Sequence, residues 1–133
     1  MSINIKEQLT YWLQVSNNDI ETAKILYKNR KYLESLFFAH LSLEKILKAH
    51  FVALHREIPP FTHNLVLLAQ KSNVVVEKDD LEFLAEMNRF QIEGQYPDFR
   101  YKLYKSLTKR ESEMILKRVE NLQLWLRKKL EEK

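Results

Sequence analysis

Leu33-Glu34-Ser35-Leu36-Phe37-Phe38-Ala39-His40-Leu41-Ser42-Leu43-Glu44-Lys45-Ile46-Leu47-Lys48-Ala49-His50-Phe51-Val52-Ala53-Leu54 decides the fold. Leu33, Leu36, Phe37, His40, Leu43, Leu47, Phe51 and Leu54 recur at three- and four-residue steps, the repeat of one helix face. No glycine or proline interrupts the run, so it predicts a helix from about Lys31 to His55. Upstream, Ile5, Leu9, Trp12, Leu13, Ser16, Ile20, Ala23 and Tyr27 form a second stripe, predicting a helix from about Ile5 to Asn29. Asn4 with Glu7 three residues on resembles a capping box for it. The connection around Asn29 and Arg30 is short, so the two helices should lie antiparallel.

Downstream, Pro59-Pro60 ends the regularity, because neither residue can donate a helical hydrogen bond. Thr62 is the expected N-cap of a brief helix with Leu65, Leu68 and Ala69 inward. Val74-Val75-Val76 is strand-like in composition but has no partner run, and reads as a linker. Asp79 with Glu82 opens another short helix carrying Leu81, Leu84, Ala85 and Asn88. From Phe90 to Leu107 no period holds. Thr108 with Glu111 is the clearest capping box, starting a last helix with Ile115, Leu116, Val119, Leu122, Trp125 and Leu126 inward. The expected architecture is a single all-α domain over residues 1–133, an up-and-down bundle of three long and two short helices.

Composition agrees. The 133 residues are 45% hydrophobic and 30% charged, values that suit one globular domain. A single glycine, Gly94, is too few for the reversals a sheet needs. It also excludes Rossmann and Walker phosphate loops, which need at least two glycines. The absence of cysteine removes disulfides, thiolate–zinc sites and cysteine nucleophiles, and is compatible with a reducing cytoplasm. Neither a signal-peptide run nor a membrane-spanning run is present, so no membrane contact is expected.

Charge is unevenly placed. Glu77 to Glu86 holds five acids and one lysine, whereas Arg89 to Arg110 holds six bases against Glu93 and Asp98. The formal charge of +4 and a pI near 9.2 favour an anionic partner. The unassigned segment interleaves those bases with Phe90, Tyr96, Phe99, Tyr101 and Tyr104. Cations for phosphate and ring faces for a base are what nucleotide binding needs. The plainer alternative is that the aromatics plug an open side of the bundle.

Other chemistry is thinner. His40, Glu44 and Lys48 fall at four-residue steps on one face, which reads first as a solvated edge with His40 beside the apolar stripe. His50 and His55 are about 140° apart around a helix and diverge, so no metal site is expected. Two arginines precede a proton-transfer candidate with six residues between: Arg56 before His63, and Arg89 before Tyr96. Histidine can act as acid or base near neutrality while arginine offsets phosphate charge; tyrosine is a poorer base. For Arg56 and His63 the simpler reading is a loop charge and a histidine at a helix start.

Taken in order, these pieces resemble the HEPN family. The resemblance runs from Trp12-Leu13 and Asp19-Ile20-Glu21-Thr22-Ala23 through Tyr32 and Ser35-Leu36-Phe37-Phe38-Ala39-His40-Leu41-Ser42-Leu43-Glu44-Lys45-Ile46-Leu47-Lys48-Ala49. It continues with Thr62-His63-Asn64-Leu65 and with Asn88-Arg89 and Tyr96-Pro97-Asp98. It implies a helical bundle that pairs as a homodimer, often beside a minimal nucleotidyltransferase in a toxin–antitoxin arrangement. It further implies that many relatives are metal-independent ribonucleases, marked by an arginine and a nearby histidine that both protomers bring to one cleft. Arg89 matches that arginine, but Tyr96 stands at the histidine position, which departs from the pattern.

Three functions follow as expectations. The first is a module with little or no catalysis that binds a nucleotide or RNA without cofactor or metal. In it Arg89 holds phosphate, Arg100 and Lys102 support it, and Tyr96 or Tyr101 offers a stacking face. The second is a ribonuclease toxin in which Arg89 works with His40 or His63. The third is an interaction protein using its apolar faces.

Overall fold

The structure, a computed structural model, describes residues 3–133. Among them there are six α-helices and no strand: α1 (Ile5–Lys28), α2 (Tyr32–His55), α3 (Leu65–Lys71), α4 (Lys78–Met87), α5 (Pro97–Ser106) and α6 (Lys109–Glu131). A 3-10 turn, Asn88–Phe90, extends α4. The all-α reading holds, with one short helix more than the sequence pattern showed. The extra helix, α5, lies inside the segment without a period.

Both predicted boxes supply caps. Asn4 Oδ1 accepts the Glu7 N–H at 3.0 Å and Thr108 Oγ1 accepts the Glu111 N–H at 3.1 Å. The cap of α3 is Asn64 rather than Thr62: its Oδ1 accepts from Val66 and Leu67, while Thr62 Oγ1 accepts the Asn64 N–H. Thr62 therefore shapes the approach and Asn64 closes the helix. The α4 helix begins after Glu77, earlier than Asp79. Phe83, Leu84 and Met87 turn inward there, while Ala85 is exposed, because the larger side chains gain more by burial.

The α2 helix is the axis of the molecule. Its buried positions include Leu33, Leu36, Leu43, Ile46, Leu47 and Val52, spread around the cylinder rather than along one stripe. That distribution marks a central helix. It packs on α1, α6, α3 and the 3-10 turn. Two 24-residue helices joined by three residues and packed together must run antiparallel, as the short connection implied. Small polar residues set how closely they approach: Ser16 Oγ donates to the Ser42 carbonyl at 2.6 Å and Ser35 Oγ to that of Ala23 at 2.7 Å. The α6 helix closes the third side through Leu116, Val119, Leu122 and Leu126, with Gln123 donating to Ser16 and Asn17. Trp125 lies at the edge, 38% exposed, instead of inside.

Candidate functional site

The basic, aromatic segment begins at the 3-10 turn. Phe90 is fully buried and nails the turn to the core, which leaves the preceding Arg89 exposed with its guanidinium carbon 4.7 Å from the Phe90 ring centre. Gly94 then takes a left-handed conformation (φ 80°), which any side chain would resist. Two bonds close the resulting loop. The Gln95 side-chain amide donates to the Arg89 carbonyl at 3.0 Å, and Arg100 Nη2 donates to the Ile92 carbonyl at 2.7 Å. Arg89, Tyr96 and Arg100 are thus drawn onto one compact loop and the first turn of α5, although ten residues separate the ends.

Pro97 opens α5 at a position where its missing N–H costs nothing. No residue of α5 is buried. Tyr96 is 84% exposed, and Phe99, Tyr101 and Tyr104 are all more than half exposed. The Tyr101 and Tyr104 rings stack at 6.4 Å, and Lys105 Nζ lies 5.3 Å from the Tyr101 ring centre. These three share one face, whereas Lys102 follows Tyr101 directly and points about 100° away. Among the described residues, none of Arg89, Arg100, Lys102, Lys105, Lys109 and Arg110 forms a salt bridge. The face is open: a groove of about 610 Å³ lies elsewhere, between Val75 and Trp125.

The row on α2 is not a solvated edge. His40 and Glu44 have no exposed surface and Lys48 is 6% exposed, because the turn leading into α3 folds over them. Glu44 Oε1 accepts from His63 Nδ1 at 2.7 Å, and Oε2 accepts from Lys48 Nζ at 3.0 Å, with Lys45 Nζ at 3.5 Å. Burial alone would push the Glu44 carboxyl up, but the His63 bond and the two lysines hold it below the ordinary range. Both ammonium groups also lie over the Trp12 ring, at 5.8 and 5.3 Å. Asp19 is buried beside this cluster with Oδ2 unpartnered, and burial pushes it up to about 6 against the pull of Lys45.

The histidine candidates separate clearly. His40 Nε2 meets the His63 carbonyl at 3.0 Å and therefore carries a hydrogen; burial pushes its ring down to about 4. It holds the turn and has no surface to offer a ligand. His63 is different: its side chain is 55% exposed, Glu44 occupies Nδ1, and no protein group bonds Nε2 among the described residues. Arg56 ends α2 in a left-handed conformation (φ 55°), exposed, as a helix terminus. A second clasp joins the two parts. Asn88 Nδ2 donates to Asn64 Oδ1 at 3.1 Å and Asn88 Oδ1 accepts the Leu65 N–H at 3.0 Å. The neighbour of His63 is thereby tied to the neighbour of Arg89. The sequence row showed the spacing of His40, Glu44 and Lys48 but neither the His63–Glu44 bond nor the Asn64–Asn88 clasp, which join residues 19 and 24 positions apart. Lys105 counted among the six bases of the segment but not among the candidate binding residues, although its step of four from Tyr101 was there to read.

The fold and site define a small all-α bundle in which a cation-rich loop is tied, through the Asn64–Asn88 clasp, to a buried acid–base cluster. The family model of the HEPN domain matches residues 9–129, and the chain belongs to the HEPN family. No curated protein and no solved structure matches the chain. Among the described residues no helix is long and apolar enough to cross a membrane, and no cluster of metal-binding side chains occurs.

Proposed function

We propose that this chain is a cytoplasmic nucleotide- or RNA-binding module. In this reading it is paired as a homodimer and partnered by a minimal nucleotidyltransferase in a toxin–antitoxin-like unit. One observation carries the binding: four exposed aromatic rings at Tyr96, Phe99, Tyr101 and Tyr104, set among Arg89, Arg100, Lys102 and Lys105, none of which forms a salt bridge among the described residues, with α5 itself burying no residue. Aromatic side chains left in water at such density are surface waiting for a partner, and the bases select an anionic one. Arg89 holds phosphate, Arg100 and Lys102 add charge, and Tyr96 and Tyr101 offer ring faces. Tyr96 is a weak base, so the face itself supplies no strong acid–base group.

Fluorescence anisotropy with labelled single-stranded RNA, and calorimetry with nucleoside triphosphates, test this at matched salt. Arg89→Ala should weaken binding about tenfold, the worth of a charged hydrogen bond to phosphate. Parent-like affinity in Arg89→Ala removes the assignment. A second reading adds cleavage to binding without a metal, and the His63–Glu44 pair beside the Asn64–Asn88 clasp is what favours it.

A further inference from the structure

We infer that the groove between Val75 and Trp125 is a docking surface for a second copy of this chain, and that helix α5 is what enters it. The contact joins two different patches, head to tail. It is therefore distinct from a two-fold homodimer contact, which pairs a patch with itself. It does not depend on RNA lying on α5.

The receiving side is a trough. The groove of about 610 Å³ is lined by Val75, Val76, Leu122 and Trp125, and an adjoining hollow of about 460 Å³ shares Val75 and Trp125 with it. Val75 is 88% exposed, apolar surface that the bundle does not use. Among the described residues no backbone–backbone hydrogen bond uses Val75 or Val76, so their peptide groups are free to pair with a visitor. The two ends of the trough differ in sign. Glu77 lines one end, with Asp79 two residues on; both are exposed and neither forms a salt bridge, whereas Asp80 beside them is held by Arg118. Lys129 and Lys133 line the other end, together with Glu132.

The entering side matches it in pattern and in sign. Asp98, Tyr101 and Lys105 fall at steps of three and four along α5 and share a face, flanked by Lys102 and by the stacked ring of Tyr104. The acid stands in the first turn of α5 and Lys105 in the last, about 10 Å further along the axis. Laid with Lys102 and Lys105 against Glu77 and Asp79, the helix brings Asp98 toward Lys129 and Lys133, and Tyr101 and Tyr104 over Val75 and Trp125. Every exposed ring and every unpaired charge in the pairing then meets its complement. Among the described residues no salt bridge joins Glu77–Glu86 to Arg89–Arg110 within one chain, so both sides remain free for another molecule. A head-to-tail contact leaves one trough and one α5 unused at the ends of any pair, and so continues into rings or open chains. Each α5 seated in a neighbour is withdrawn from any other ligand.

The test is sedimentation of the full chain over a range of concentrations, without RNA, with two charge-reversed variants. The parent should associate beyond its smallest unit, and less so in about 1 M salt, where charges are screened beyond about 3 Å. Glu77→Lys with Asp79→Lys, and separately Lys102→Glu with Lys105→Glu, should each weaken self-association about tenfold or more, because like charges then face each other. All four positions are exposed and none forms a salt bridge, so both variants should keep the parent's thermal midpoint to within a few degrees. An equimolar mixture of the two should associate again, since the basic α5 of the first meets the acidic trough of the second. Glu7→Lys with Glu57→Lys, equal in net charge to the first variant but changed away from the trough, should associate as the parent does. A parent that shows no concentration dependence, a mixture no more associated than either variant alone, or an equal loss in Glu7→Lys with Glu57→Lys overturns the inference. Each of these results leaves the trough to a different protein and the RNA reading of α5 standing.

Discussion

Asp19 shows how a single residue sets the pH response. Its carboxyl is pushed from 3.8 to about 6, mainly by burial, with Lys45 pulling the other way. A group whose folded value lies above its unfolded one favours the folded state when protonated. Its contribution is full below 3.8 and is lost as pH rises through about 6. Asp19→Asn should therefore raise stability at pH 8 by about 1–2 kcal/mol and change little at pH 4, read as thermal midpoints. His40 and His50 act in the opposite sense. Burial lowers both from 6.5 to about 4, so the unfolded chain takes up their protons first and folding weakens as pH falls from 6.5 to 4. Two histidines outweigh one aspartate, and the protein should lose stability on acidification across that window. A midpoint that rises on going from pH 7 to pH 4.5 would contradict the burial of His40 and His50. None of this was legible residue by residue. Spacing placed His40, Glu44 and Lys48 on one side of α2, but the cover over them comes from Pro59 to Asn64, a fold-back that no local pattern encodes.

Among the elements, α1 and α6 were readable because each buries a face, and burial is what writes a period of 3.6 into a sequence; α2, buried nearly all round, was readable from its long run without glycine or proline. α5 has no buried residue and rests on the core only through the half-buried Leu103, so its apolar spacing is barely constrained. Only its start was marked, by Pro97 at the first position and Asp98 in the first turn. The same fact yields a prediction. Tyr101→Ala with Tyr104→Ala removes a stacked pair that covers no core, so unfolding stability should move by less than about 0.5 kcal/mol. Binding of single-stranded RNA should fall by a much larger margin, about 1–3 kcal/mol for each stacked base lost. Chemical denaturation alongside anisotropy separates the two. A large loss of stability in this variant would mean that the rings seal the bundle, the plainer reading of the segment.

At the scale of the whole molecule the charge is divided. Residues 89–110 carry six bases and two acids, an excess of +4 that equals the formal charge of the entire chain. The preceding stretch, Glu77 to Glu86, is acidic with five acids and one lysine. The positive potential is therefore concentrated on the α5 side, and an approaching polyanion is drawn to one face rather than to the protein at large. Such binding must weaken with salt, because each phosphate neutralised releases condensed counterions. The slope of log K against log salt is about −0.7 per contact for a single strand. Arg89→Ala and Lys102→Ala should each make the slope shallower by about that amount, since neither side chain forms a salt bridge that would compete for it. Lys128→Ala, an exposed base near the end of α6, should leave the slope unchanged. If Lys128→Ala lowered it as much as Arg89→Ala did, attraction would belong to net charge alone, and the separation of acidic and basic stretches along the chain would have no part in where RNA lands.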